Sequence, residues 1–158
     1  MTTVQLSDHF TLDEATASQT ASRKGIANVP SEVILANMYK TAKCMERLRA
    51  LLQFPISISS WYRSPALNFE VGGVSTSQHL TGEAVDFNCF NYGPPVEVCK
   101  RILAFPELIT FDQLILEHTW VHISFNANPS VPNRRQVLSL LQSGHYANGL
   151  TDKWGNPL

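Results

Sequence analysis

Two histidines and one aspartate in this 158-residue chain are spaced so that a metal site can form. His79 lies in a polar loop at residues 75–82, seven residues before Asp86 on a predicted strand, and His122 lies on a later predicted strand. Two imidazoles and one carboxylate leave the fourth position of a zinc ion to water, which is typical of catalytic rather than structural zinc. These ligands also suit a metal that polarises a carbonyl. The spacing alone is a weak signal, because a single histidine on a strand is commonly structural.

The other three histidines are weaker candidates for metal binding. His9 lies near the N-terminus and His145 lies in a Ser-Gly-His-Tyr loop, so we expect neither to be a ligand. His118 falls in a predicted hairpin turn near the candidate site, so its role there is left open.

Three cysteines, Cys44, Cys89 and Cys99, are far apart and form no CxxC pair. This pattern predicts reduced, mostly buried thiols rather than a disulfide framework. A hydrolase that uses Cys89 as its nucleophile is disfavoured, because an inward position on a strand suits packing better than an exposed thiolate.

The composition predicts one domain over residues 1–158 that is able to bury a sizeable core. Hydrophobic residues make up 44% of the chain and charged residues 16%, with a net charge of −1 and no run of like charges. A nucleic-acid partner is therefore not expected. Residues 1–15 lack a signal peptide, and no apolar run is long enough for membrane insertion, so we expect synthesis in the cytoplasm.

The N-terminal third is predicted to be helical. Thr11 and Glu14 fit a capping box that begins a short helix, whereas residues 19–29 are expected to be irregular. From Pro30 onward, apolar residues recur at helical spacing as far as Leu52.

The remaining chain is predicted to form strands around one helix. Alternation predicts strands at 56–61 and 84–88, then a hairpin of 111–117 with 120–125, and a further strand at 136–141, with a helix at 96–105. Helices followed mostly by strands indicate an α+β fold with a mainly antiparallel sheet. Residues 147–158 show little pattern and are expected to be a loosely docked tail.

Four motifs occur in order along the chain: SWYRSP at 60–65, VGG at 71–73 after Asn68, SQHLTGEAVD at 77–86 and WVHIS at 120–124. Together they resemble the zinc peptidases of peptidoglycan. That family includes D-alanyl-D-alanine carboxypeptidases and dipeptidases as well as phage L-alanyl-D-glutamate endopeptidases, and it shares its fold with the hedgehog signalling domain. The resemblance covers about residues 6–140, and it implies the zinc fold of these peptidases.

The resemblance implies that His79, Asp86 and His122 bind Zn²⁺ and that Arg63 is the active-site arginine, which binds the developing oxyanion or a substrate carboxylate. Many members carry a carboxylate base three residues before the last ligand, where this chain has Thr119. The nearest acid is Glu117, which we expect to be the base. His118 is its rival.

Three further residues are predicted to support the site. Ser77 either orients the His79 loop through hydrogen bonds or is an ordinary polar loop residue. Trp120 shares the face of His122, where it forms the floor of a substrate groove or packs in the core. Gln113 shares the strand face of Glu117 and is expected to support it.

The resemblance thus implies a zinc metallopeptidase that hydrolyses an amide bond in peptidoglycan stem peptides. Without a signal peptide, such an enzyme reaches the wall after release through a membrane lesion or as part of a phage particle, although a cytoplasmic dipeptidase fits equally. The alternative is a non-catalytic, zinc-stabilised binding or virion structural module, which the missing base at the usual position favours.

Overall fold

The computed structural model describes residues 2–158 and contains five α-helices, a 3-10 helix and six strands in that range. The α-helices are α1 Leu12–Thr16, α2 Gln19–Lys24, α3 Glu32–Leu52, α4 Pro65–Glu70 and α5 Pro95–Ala104, and the 3-10 helix is Gln78–Thr81. The strands are β1 Ser57–Ser60, β2 Ala84–Asn88, β3 Gln113–Leu116, β4 Val121–Ser124, β5 Gln136–Leu140 and β6 Tyr146–Asn148.

Side-chain caps begin the N-terminal helices as the sequence predicts. The Thr11 hydroxyl accepts from the Glu14 amide at 3.2 Å, and the Glu14 carboxylate accepts from the Thr11 amide at 2.8 Å, which completes the capping box of α1. Ser31 caps α3, whose buried side enters the core. No helix within residues 2–158 is both long and apolar enough to cross a membrane.

The expectation that residues 19–29 are irregular is wrong for α2. Ser18 caps this helix by accepting from the Ala21 amide at 3.1 Å, and Gly25 ends it with a φ of +67°. Since Ala21 is its one buried residue, α2 has no apolar periodicity to reveal it. Only its two caps mark it in the sequence.

The six strands form one sheet in the order β1-β2-β4-β3-β5-β6. The pairings are antiparallel except for that of β3 with β5, which is parallel. The predicted hairpin is confirmed, because β3 and β4 pair through Leu116 and Val121, and β5 lies within the predicted strand at 136–141. The fold is α+β with a mixed, mostly antiparallel sheet, as expected.

The two faces of the sheet have different roles. On one face, Val85, Phe87, Val121 and Ile123 are fully buried in the core that includes α3 and α5. Because side chains alternate along a strand, the residues between them point to the other face. Asp86 and His122 are direct partners on β2 and β4, so their side chains meet on that other face.

Strand β1 contains one extra residue relative to β2. Ile58 pairs with Phe87, but the next pair is Ser60 with Asp86, which leaves Ser59 as a bulge. The Ser59 hydroxyl donates to the Asp86 carbonyl at 3.2 Å. The bulge sets the direction in which the chain leaves β1 toward Trp61 and Arg63.

The C-terminal segment differs from the loosely docked tail suggested by the sequence. Tyr146–Asn148 pairs with β5 as an edge strand, the Thr151 amide donates to the Ser139 hydroxyl at 3.0 Å, and the Leu158 amide donates to the Leu150 carbonyl at 3.0 Å. A strand of three residues is too short to show alternation, which is why the sequence does not reveal it.

The three cysteines are free, as expected. Cys89 and Cys99 are buried, and burial raises the pKa of the Cys99 thiol to about 12. Burial also raises the pKa of Cys89. A thiol with a raised pKa is a poor nucleophile at neutral pH, so the structure offers no support for a thiol hydrolase.

Candidate metal centre

His79, Asp86 and His122 converge, and each offers a ligand atom within 4.8 Å of the others. Nδ1 of His122 lies 2.8 Å from Oδ1 of Asp86, and Nε2 of His79 lies 3.3 Å from Oδ2 of the same carboxylate. His79 and Asp86 are 3% and 6% exposed. Across residues 2–158, this is the one group of three or more His, Cys, Asp or Glu side chains arranged to hold a metal ion.

The 3-10 helix presents His79 to the sheet. Ser77 begins the helix by accepting from the His79 amide at 3.2 Å, which is the local hydrogen bonding expected of Ser77. Gly82 ends it with a φ of +73°, in the left-handed region that favours glycine. A Cβ at Gly82 would also lie 2.5 Å from Cγ of Met38, so the chain passes against α3 here.

The ring of His79 is oriented by the backbone that follows β1. Its Nδ1 lies 2.6 Å from the Trp61 carbonyl oxygen, which can only accept, so Nδ1 carries the proton. The lone pair of the neutral ring is then on Nε2, the nitrogen that faces Asp86. The Arg63 amide donates to the His79 carbonyl at 3.0 Å, and the Trp61 indole donates to the Gly82 carbonyl at 2.9 Å.

The charges of the three side chains suit a divalent cation. Burial alone would raise the pKa of Asp86, but the attraction of His79 and a hydrogen bond from His122 hold that pKa well below its ordinary value. Burial lowers the pKa of His79, against the opposing attraction of Asp86. An anionic carboxylate and a neutral imidazole are the forms that bind zinc, so the donor set and its protonation fit the ion.

Arg63 lies beside the three candidate ligands. Its guanidinium donates from Nε to Ser60 Oγ at 3.2 Å, from one terminal nitrogen to Asn68 Oδ1 at 3.4 Å and from the other to Asp86 Oδ2 at 3.4 Å. Burial lowers the pKa of Arg63, although an arginine remains charged at neutral pH. The guanidinium has five N–H groups, so two are left for a ligand in the cleft.

The ligands open into a cleft of about 640 Å³, which we call the metal cleft. Its lining residues are Arg63, Val71, Gly72, Gly73, Val74, Thr76, Ser77, Gln78, His79, Asp86, Gln113, Ile115, Glu117, Trp120, His122, Arg134, Leu138 and Tyr146. The cleft gives an extended ligand access to the centre.

Glu117, at the end of β3, lies in the metal cleft with the three ligands. Burial raises its pKa, His122 lowers it, Asp86 raises it and the hydroxyl of Tyr146 lowers it. A carboxylate with a raised pKa is better matched to accept a proton near neutral pH. The structure therefore places the predicted base beside the centre, although it is five residues before His122 in sequence.

His118 does not lie in the metal cleft. It is exposed and lines a separate hollow with Pro94, Asp152 and Lys153. Glu117 borders both spaces. The structure thus separates the rival base from the metal ligands and brings Glu117 to them.

The predicted supporting residues Trp120 and Gln113 both line the cleft. Trp120 is half-buried, and its buried indole nitrogen has no hydrogen-bond partner within the described chain. Gln113 donates to Oε1 of Gln136 at 2.6 Å, which holds it as part of the wall.

Sequence reasoning missed several residues of the cleft. Tyr146 of β6 and Leu138 of β5 come from the region after the last motif. Arg134 also lines the cleft, and Asp112 binds its guanidinium at 2.7 Å. Asn68 belongs to a recognised motif but had no assigned role, and here it accepts from Arg63 and donates to the Val74 carbonyl.

One family model matches the part of the chain that contains the four motifs. The model of the family described as Peptidase M15 matches residues 8–124, a range that includes Arg63, the three candidate ligands and Glu117. None of the curated proteins compared with the chain matches it significantly.

Proposed function

The chain belongs to the peptidase M15 family of metallopeptidases, and from this premise we propose that it is a zinc-dependent peptidase that hydrolyses an amide bond in peptidoglycan stem peptides. The convergence of His79, Asp86 and His122 at the base of an open cleft carries the proposal. Two imidazoles and one carboxylate leave room for water and substrate, as in catalytic zinc sites.

His79, Asp86 and His122 would hold the zinc ion. When bound, zinc supplies Lewis-acid polarisation of the scissile carbonyl and lowers the pKa of water. The Trp61 carbonyl fixes the proton of His79 on Nδ1 and so keeps Nε2 free for the ion. Because Asp86 is held ionised, the site need not lose a carboxyl proton when the ion binds at neutral pH.

Glu117 acts as the base of the proposed reaction. Its carboxylate accepts the proton of the attacking water and transfers it to the departing amine, a contribution that is typically ~10²–10⁴-fold in rate. Its position in the same cleft as the ligands supports this role, and the pKa raised by burial improves the match between acid and base.

Arg63 and Trp120 bind the substrate. Arg63 lines the cleft beside Asp86, and its two remaining N–H groups would bind an oxyanion or a substrate carboxylate. The ring of Trp120 lines the cleft and offers the peptide an apolar surface to pack against. A preorganised donor aimed at developing charge contributes about 3–4 kcal/mol.

The assignment to peptidoglycan rests on the four motifs, which resemble peptidases of D-alanyl and of L-alanyl-D-glutamate bonds. A phage or virion-associated lytic enzyme is the biological setting that we propose. Arg63 lies beside the ligands, where it would bind a substrate carboxylate or the developing oxyanion whichever of these two bonds is cut.

The test is to load the purified protein with zinc, measure its metal content, incubate it with peptidoglycan and identify the products. An L-alanyl-D-glutamate endopeptidase exposes a D-glutamate amine, whereas a D,D-carboxypeptidase releases D-alanine. Asp86→Asn is the matched control, because it keeps the shape of the side chain while weakening the metal site. Full zinc occupancy without hydrolysis of any wall substrate would contradict the proposal and support the non-catalytic module.

A further inference from the structure

Tyr146 lies outside residues 8–124, the range matched by the family model, yet it lines the metal cleft. It is the first residue of β6 and pairs with Leu140 of β5. Because β5 pairs with β3, this short edge strand reaches the side of the sheet on which Glu117 follows the last residue of β3. The fold therefore brings a phenol to the candidate base from a distant part of the chain.

Tyr146 and Glu117 both line the metal cleft, where the phenol is near enough to oppose the rise that burial causes in the pKa of Glu117. His122 of β4 also lowers the pKa of Glu117, and Asp86 of β2 raises it. Asp152 and Lys153 border the separate hollow that Glu117 shares. Tyr146 is the neutral O–H donor among these groups, and a carboxylate can only accept.

We propose that Tyr146 is a positioning residue that donates its phenolic O–H to Glu117 and holds this carboxylate in the orientation needed to accept a proton. The proposal rests on the proposed function for its reaction, but the contact itself can be tested without zinc. Tyr146 transfers no proton to substrate in this scheme.

Physical chemistry favours a positioning role. The terminal torsion of a glutamate is broad, so a carboxylate at a strand end needs a partner to fix its plane. A hydrogen bond from a neutral donor to an ionised acceptor is among the stronger ones. Burial is the main reason that the pKa values of both groups are raised; beside it, the hydroxyl lowers the pKa of Glu117 and the charge of Glu117 raises that of Tyr146, as expected when a phenol donates to a carboxylate.

The kinetic test compares Tyr146→Phe with the zinc-loaded wild type on the peptidoglycan substrate. We expect kcat to fall about tenfold with little change in KM, since one charge-assisted hydrogen bond is lost at a half-exposed site. The acid limb of kcat/KM should move to higher pH, because the carboxylate loses a donor that stabilises its ionised form. Tyr39→Phe, on the exposed side of α3, is the matched control. An unchanged kcat and acid limb in Tyr146→Phe would overturn the proposal.

A second test uses the metal-free protein. The chain has four tyrosines, so the alkaline absorbance titration of the wild type minus that of Tyr146→Phe isolates one phenol. Glu117→Gln should lower the pKa of that phenol, because the nearby negative charge is removed. An unaltered phenol titration in Glu117→Gln would show that the two groups do not interact and would overturn the proposal. If the phenol shifts while the zinc-loaded wild type cleaves no wall substrate, the proposed function fails and the contact stands.

Discussion

The two sides of the metal cleft are built in different ways. On the ligand side, backbone groups orient His79, since the Trp61 carbonyl binds its ring and the Arg63 amide binds its carbonyl. On the base side, Glu117 is half-buried just after a strand, and Tyr146, which lines the same cleft, is a half-exposed side chain on an edge strand. In the proposed reaction, metal binding thus depends on side chains that backbone groups orient, whereas proton transfer depends on side chains that come from distant strands.

This difference predicts two separable kinds of failure. A change on the ligand side should remove the metal together with the activity, whereas a change on the base side should reduce the rate and leave the metal in place. The following experiments are arranged from the largest expected effect to the smallest.

Substitution His79→Ala should abolish stoichiometric zinc binding and lower kcat/KM by at least about a thousandfold, because the Lewis acid contributes several kcal/mol. Zinc content after dialysis and peptidoglycan hydrolysis measure the two effects. His145→Ala is the matched control, since His145 is exposed and lies outside the metal cleft. Full zinc retention in His79→Ala would contradict the claim that changes on the ligand side remove the metal.

Substitution Glu117→Gln should lower kcat by ~10²–10⁴-fold while zinc content stays equal to that of the wild type. The amide keeps the size of the side chain but cannot act as the base. His118→Ala should leave the rate unchanged, because His118 lines a different hollow. If His118→Ala abolished hydrolysis and Glu117→Gln did not, the assignment of the base would be reversed.

The pH dependence should report the ionisation of Glu117. Burial raises its pKa, and the base must be ionised to accept a proton, so kcat/KM falls about tenfold per pH unit once the pH drops below that raised pKa. Above it, this group no longer limits the rate. Rate measurements at constant zinc occupancy across the acid range test this, and the limb should disappear in the residual activity of Glu117→Gln.

The smallest effect concerns stability on the ligand side. Gly82→Ala should lower the free energy of unfolding by about 2–4 kcal/mol, because Gly82 has a positive φ and a Cβ there would overlap Met38. Gly25→Ala should cost only about 1 kcal/mol, since Gly25 has a similar φ with open space around it. Chemical denaturation of the metal-free variants measures both. Equal losses would show that the close approach of Gly82 to α3 adds nothing to the loss of unfolding free energy in Gly82→Ala.

Much of the ligand side could be predicted from the sequence. Alternation located β2 and β4, and the resemblance of the four motifs to the zinc peptidases of peptidoglycan implied the ligand set, which the spacing alone left open. The helix α3 was equally visible, since apolar residues repeat on one side of it. The helix α2 was not, because it has a single buried residue.

The base side was harder to predict, because its assembly is not local. Nothing in residues 136–140 indicates that β5 pairs with β3, or that the pairing is parallel. Without that pairing, Tyr146 is one aromatic residue in a glycine-flanked stretch, with no signal that it reaches Glu117. His118 and Glu117 are neighbours in sequence, so only the structure shows that Glu117 lines the metal cleft and that His118 does not.

The bulge at Ser59 ties the position of the guanidinium to a local bend in β1. Ile58 and Ser60 pair with the consecutive residues Phe87 and Asp86, so deleting Ser59 would leave every later residue on its present face of the sheet. The deletion would remove the bend that a bulge introduces and the hydrogen bond from the Ser59 hydroxyl to the Asp86 carbonyl. Natural variants that lack this residue should therefore keep the fold, but their Trp61 carbonyl and Arg63 guanidinium should meet His79 and Asp86 less accurately and hydrolysis should slow.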